Sequence, residues 1–213
     1  MPDNLASISP ISVRPQDNVL QNFSDATAGR SLQLYWGVGT TDSTGESFLL
    51  VRDQSFSDPI TKEGADTVAT GEQYNIDFDI TINKPTIFAG IASIDAKWFI
   101  KGGAAANIRD VTGYTKFEIF HYDGSTETSI GTVTTETLFS APDMNEKIPY
   151  RVKLQISITR KLFAIGDILR ITVLGFKTIH TSGNGTIWGI SLDPETAGDE
   201  FKVWMPIVNL EGS

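Results

Sequence analysis

Apolar and polar residues alternate along most of this chain. Tyr74, Ile76, Phe78, Ile80 and Ile82 share one parity, and Asn75, Asp77, Asp79 and Thr81 share the other. Val152, Leu154, Ile156 and Ile158 repeat the pattern against Arg151, Lys153, Gln155 and Ser157. A period of two sends alternate side chains to opposite faces of a sheet, so each run predicts a strand with one buried face. The same reasoning predicts strands at 31–38, 48–51, 94–100, 115–122, 128–135, 168–174, 186–192 and 201–208. Gly-, Asn- and Asp-rich turn signals separate them, as at Asp123-Gly124 and Ser182-Gly183-Asn184-Gly185. About ten short strands at such spacing predict an all-β, jelly-roll-like antiparallel β-sandwich. Residues 53–72 and 138–147 read as loops.

Residues 1–30 break the pattern. They are rich in Ser, Asn, Asp and Gln, contain Pro10 and Pro15, and hold no sustained period. They predict an extended N-terminal arm ahead of a single sandwich domain at 31–213. The arm's apolar residues, Ile8, Ile11, Val13, Val19, Leu20 and Phe23, are too sparse for a core and suited to docking on another surface.

Composition narrows the classes of function. A chain of 213 residues buries roughly 70% of its unfolded surface and needs no covalent staple. It has no cysteine, which removes disulfides, zinc–thiolate sites and thiol catalysis. Its net charge of −9 argues against nucleic acid as a partner. No apolar run is long enough for a membrane span. The start, Met1-Pro2-Asp3-Asn4-Leu5, does not read as a signal peptide, so synthesis in the cytoplasm is expected.

Charge is unevenly distributed. Lys147, Arg151, Lys153, Arg160, Lys161, Arg170 and Lys177 face only Asp167 within 147–177, whereas 193–200 carries four acids and no base. The plain explanation is two solvated faces. The sharper one has the basic surface, with Arg151, Lys153, Arg160 and Lys161, meeting the acidic surface of a neighbouring copy.

Candidate chemistry is sparse. Of the two histidines, His121 shares a strand face with Phe117 and Ile119 and is expected to pack in the core. No nucleophile elbow, metalloprotease helix motif or P-loop is present. Asp77 and Asp79 lie two apart on one solvent face, as hydrated sheet carboxylates do. Asp123–Glu127 and Asp193–Glu200 offer oxygen ligands without EF-hand spacing. The expectation is therefore no catalytic residue, no metal and no cofactor. By parity Tyr35, Phe99 and Trp204 fall on the face opposite the core and are candidate platforms for a glycan, or for burial at an interface.

The run Ile165-Gly166-Asp167-Ile168-Leu169-Arg170-Ile171-Thr172-Val173, with the later strand ending Leu192-Asp193-Pro194, resembles the closing part of jelly-roll modules in virion proteins of tailed bacterial and archaeal viruses. That resemblance covers about residues 150–195. It implies a non-enzymatic structural protein of the virion, of capsid-decoration, tail or fibre type. Its partners would be further copies of itself and other capsid or tail proteins. A carbohydrate- or receptor-binding module is the alternative.

Overall fold

The computed structural model describes residues 30–42, 45–52, 60–103, 111–140, 146–180, 185–192 and 200–208. The arm anchors Ile8, Ile11, Val13, Val19, Leu20 and Phe23, and most of the acidic segment 193–200, lie outside these residues.

Every described element is a strand. In order they are β1 (Arg30–Asp42), β2 (Gly45–Val51), β3 (Ile60–Glu63), β4 (Gly71–Thr81), β5 (Thr86–Gly102), β6 (Val111–Tyr122), β7 (Glu127–Thr134), β8 (Leu138–Ser140), β9 (Lys147–Phe163), β10 (Ile168–His180), β11 (Thr186–Leu192) and β12 (Phe201–Val208). The all-β sandwich expected from the alternation is what forms. Two strands arise where loops were expected. β3 pairs with β11 at Thr61↔Ser191, and β8 pairs with β6 at Thr112↔Phe139. Both are short, and pairing with a neighbour rather than local pattern makes them strands.

Two layers face each other. In the first, β10 lies between β4 and β6, while β7 and β8 share the far edge of β6. In the second, β5 is the spine. β9 pairs along one of its edges from Thr86↔Phe163 to Lys101↔Lys147. β12 and β11 lie end to end along the other edge. β12 then pairs with β1, and β1 with β2. One parallel bridge, Leu49↔Asp79, joins the second layer to the first.

Aromatic residues fill the space between the layers. Phe201 of β12 lies 4.8 Å from Phe78 of β4 and 6.2 Å from Phe117 of β6, centroid to centroid. Trp188 of β11 stacks on Trp98 of β5 at 5.1 Å. The same indole fills the space that a Cβ on Gly113 or Gly175 of the opposite layer would need. Ile156, Ile171, Val173 and Trp188 join one buried cluster, and Leu154 packs on its margin.

The spine bends at Gly90, whose φ of 122° sits where the β5–β9 register shifts between Phe88 and Gly90. Only glycine adopts that backbone without strain. Pro206 of β12 packs over it, next to the shift in the β12–β5 register between Trp204 and Ile207.

Candidate functional site

The turn from β9 to β10 is built by Gly166, at φ 93°, and closed by backbone bonds from Gly166 N to Ile82 O and from Ile82 N to Asp167 O. It presents the Asp167 carboxylate to β6. His121 Nε2–H donates to Asp167 Oδ2 at 2.6 Å, and the Ala164 amide donates to the same oxygen at 2.8 Å. The hydrogen bond from His121 is the main cause holding the Asp167 carboxyl below its ordinary range. The imidazole is buried edge-on against Phe163, with centroids 4.5 Å apart. Its Nδ1 is buried and has no hydrogen-bond partner among the described residues, so no described hydroxyl is activated by this ring. The pair fastens the turn to β6, the strand beside β10.

A second constellation covers the outer face of the first layer. Arg170 of β10 binds Asp79 of β4 through two bonds, Nε to Oδ1 at 2.8 Å and Nη2 to Oδ2 at 2.7 Å. Its Nη1 reaches Glu127 Oε1 of β7 at 3.0 Å and lies 3.5 Å from Asp77 Oδ2. Thr172 donates to Asp77 Oδ1 at 2.6 Å. One guanidinium thus holds three carboxylates from two strands, β4 and β7, and those bonds raise its pKa. Asp77 and Asp79 are not the bare carboxylate pair the sequence suggests, because Arg170 lies between them.

The third constellation is a row across the outer face of the second layer. Register places Trp36, Lys202, Asp95 and Lys153 side by side on β1, β12, β5 and β9. Lys202 Nζ sits 4.7 Å over the Trp36 ring and 3.3 Å from Glu200 Oε1. Arg151 Nε and Nη2 donate to Asp95 Oδ1 and Oδ2, both at 2.8 Å, and Lys153 Nζ is 3.6 Å from Asp95. Arg151 also lies 4.0 Å from Glu200 Oε2. Asp95, Glu200 and Lys202 are buried, and desolvation lowers the pKa of Lys202.

Lys177 is a further buried cation, with 1% of its surface exposed. Its Nζ donates to Thr67 O at 2.5 Å and to Thr186 O at 3.1 Å. Burial brings its pKa down to about 8, against an opposing pull from Asp66.

The sequence-predicted residues fall as follows. Arg151 and Lys153 meet carboxylates of their own chain, so basic and acidic segments touch within one molecule at this point. Arg160 is exposed and Lys161 half-buried. Tyr35 and Phe99 require correction as surface rings, since both are 0% exposed. Both faces of β1 and β5 are covered there. Tyr35 points into the core, and Phe99 lies beneath Lys147, whose Nζ is 3.8 Å from the ring centre. Trp204 is half-buried, and its indole N–H is enclosed. Asp123 is occupied as a turn former, with Oδ1 accepting from the Ser125 and Thr126 amides and from Ser125 Oγ. Those bonds bring its pKa down to about 2. Among the described residues no group of three or more His, Asp or Glu is placed to hold a metal ion.

Alternation did not reveal Asp95, Glu200, Lys177 or Lys202 as buried charges. The available signal was an outward-facing charge flanked by large apolar residues, as in Phe201-Lys202-Val203-Trp204.

No protein-family model and no curated protein sequence matches this chain. Its fold does match solved structures. It superposes on an α-amino acid ester hydrolase with a TM-score of 0.56 at 8% identity, over 83% of this chain and 36% of that one. It superposes on an aminopeptidase from a marine sediment archaeon, Thaumarchaeota archaeon, with a TM-score of 0.53 at 9% identity, over 84% and 37%. A CocE/NonD family hydrolase from Staphylococcus aureus gives 0.51 at 11% identity, over 85% and 37%. The chain spans little more than a third of the length of these hydrolases. At this identity the likeness is one of fold. It overturns the expectation of a non-enzymatic virion protein, because the folds that superpose belong to hydrolases. A match to infectious bursal disease virus has a TM-score of 0.18 and carries no argument.

Proposed function

We propose that this chain is the β-sandwich component of a hydrolase that cleaves ester or amide bonds. The observation that carries this reading is the superposition of 83–85% of the chain on part of three proteins named as an ester hydrolase, an aminopeptidase and a CocE/NonD family hydrolase. The site chemistry fits a supporting role within such an enzyme. His121 is committed to Asp167 through Nε2, and its other nitrogen is buried, so neither is presented to a substrate. Acyl transfer needs an activated nucleophile and a base within hydrogen-bond reach. In this reading those groups come from a separate catalytic domain, and the sandwich supplies a rigid surface beside it.

The test is to purify the chain from its source cells with whatever it is joined or bound to, and to assay aminoacyl esters and peptide amides. Turnover that travels with the chain through successive columns is expected. Absence of ester and amide cleavage, both in that material and in the isolated chain, would sink the reading.

A further inference from the structure

The outer face of the second layer is divided between two chemistries. One half carries the row of Trp36, Lys202, Asp95 and Lys153. The other half is apolar. Register places Val208 of β12, Ile87 of β5 and Leu162 of β9 side by side. Ile91 of β5 and Trp204 of β12 continue this surface toward the charged row. None of the five joins the core cluster, so they face away from the interior of the sandwich. Ile91 and Leu162 are each 55% exposed, and Trp204 and Val208 are half-buried. Apolar side chains gathered on one outer face mark a contact site rather than a solvated surface.

The chain enters the sheet at the head of this row. Arg30, the first residue of β1, is the register partner of Val208. The row Arg30, Val208, Ile87, Leu162 therefore runs from the point where residues 1–29 join the sheet to the exposed leucine. Three strand spacings cover about 14 Å, and the seven residues from Phe23 to Arg30 reach about 23 Å when extended. Phe23 thus comes within range of every residue in the row. Residues 1–29 lie outside the described residues; their sequence carries three acids and one base. Leu162 follows Arg160 and Lys161, so charge as well as apolar surface complements that sequence. Tethering at Arg30 makes the encounter intramolecular, with an effective concentration on the order of millimolar, which favours this segment over a separate molecule.

We propose that residues 1–29 are the occupant of this face. The segment turns back at Arg30 and lays Val19, Leu20 and Phe23 over Val208, Ile87 and Leu162 of its own chain. It thereby shields the apolar half of the second layer from other molecules. This inference goes beyond the hydrolase reading and does not depend on it.

The chain has no cysteine, so a single nitroxide can be attached at Ser24→Cys. The readout is paramagnetic broadening of backbone amide signals in the full chain. The amides of Ile91, Leu162 and Val208 should lose at least half their intensity. That of Thr132, on the exposed side of β7, should keep it. In a mixture of spin-labelled chain with isotope-enriched chain lacking the nitroxide, the loss should vanish, because the contact lies within one molecule. L20E/F23E changes only the segment and should restore the signals while leaving the rest of the spectrum in place. Leu162→Glu should restore them from the other side, and if that variant misfolds L20E/F23E still decides. Broadening elsewhere or nowhere, or indifference to L20E/F23E, would overturn the proposal. Broadening that persists in the mixture would give the face to the segment of a second copy and overturn it as well.

Discussion

His121 on β6 and Asp167 in the β9–β10 turn are 46 residues apart and joined by a 2.6 Å hydrogen bond. The bond ties the corner that launches β10 to a strand it does not follow directly in the chain. A hydrogen bond to a charged group contributes about 1.5–3 kcal/mol. His121→Ala should therefore lower stability by at least that amount in a urea titration at neutral pH, since the ring also packs on Phe163.

The pH dependence of this pair has a defined sign. The Asp167 carboxyl is held below its unfolded value. Its contribution is present above the ordinary carboxylate range and is lost as pH falls through the lowered folded value. Asp167→Asn should remove that part of the acid limb, and comparing unfolding midpoints of the two proteins at pH 7 and pH 3 checks it.

Lys177 gives a dependence of the same sign in a higher pH window. Its pKa is about 8 in the folded chain and 10.5 as a free side chain. Between these values the unfolded chain binds more protons, so this group makes stability rise as pH rises. Lys177→Met should flatten that rise. Unfolding midpoints at pH 7.5 and 9.0 test it, where most tyrosines of the unfolded chain are still protonated.

Glycines beneath Trp188 set a steric limit. A Cβ on Gly175 would stand 2.4 Å from the Tyr74 ring and 2.7 Å from the Trp188 ring. Gly175→Ala should destabilise by about 1–3 kcal/mol or more, the usual cost of overpacking. Thr132→Ala on the exposed side of β7 should stay within about 0.5 kcal/mol. Denaturant midpoints of the two variants separate steric crowding from a general loss of strand propensity.

Arg170→Ala should cost about 1–3 kcal/mol, because Asp77, Asp79 and Glu127 lose their shared cation and repel one another. The cost should shrink in high salt, since these carboxylates are partly exposed. Adding Asp79→Asn to the variant should recover part of the loss.

Much of the fold was legible from residues alone. Alternation placed Phe78, Ile156, Ile171 and Trp188 inside, and the Gly166-Asp167 turn launches β10 as read. Tyr35 and Phe99 show where parity fails. Period two groups residues by face, yet it cannot say which face is the core, as at Tyr35, or whether the other face is left open, as at Phe99. Phe99 is covered by Lys147, and Tyr35 is in the core alongside Leu50 of β2. The pairing of Asp95 with Arg151 joins residues 56 positions apart, and no local spacing encodes which strands become neighbours. The functional class was less legible still, since the short words around Asp167 and Asp193 encode local chain direction and no chemistry.

The position of β5 has a consequence in time. Every described strand that pairs with it (β9, β11 and β12) comes later in the chain, and β12 is also the partner of β1. During synthesis, the edges of β5 from Ile87 to Asp95 and of β1 from Arg30 to Gly37 stay unpaired until Phe201–Val208 has emerged. Pairings of such long sequence separation form slowly, on the order of milliseconds to seconds. The second layer is therefore completed only after nearly all of the described sequence has left the ribosome. Until then, one edge of each of these two strands stands open to the wrong neighbour.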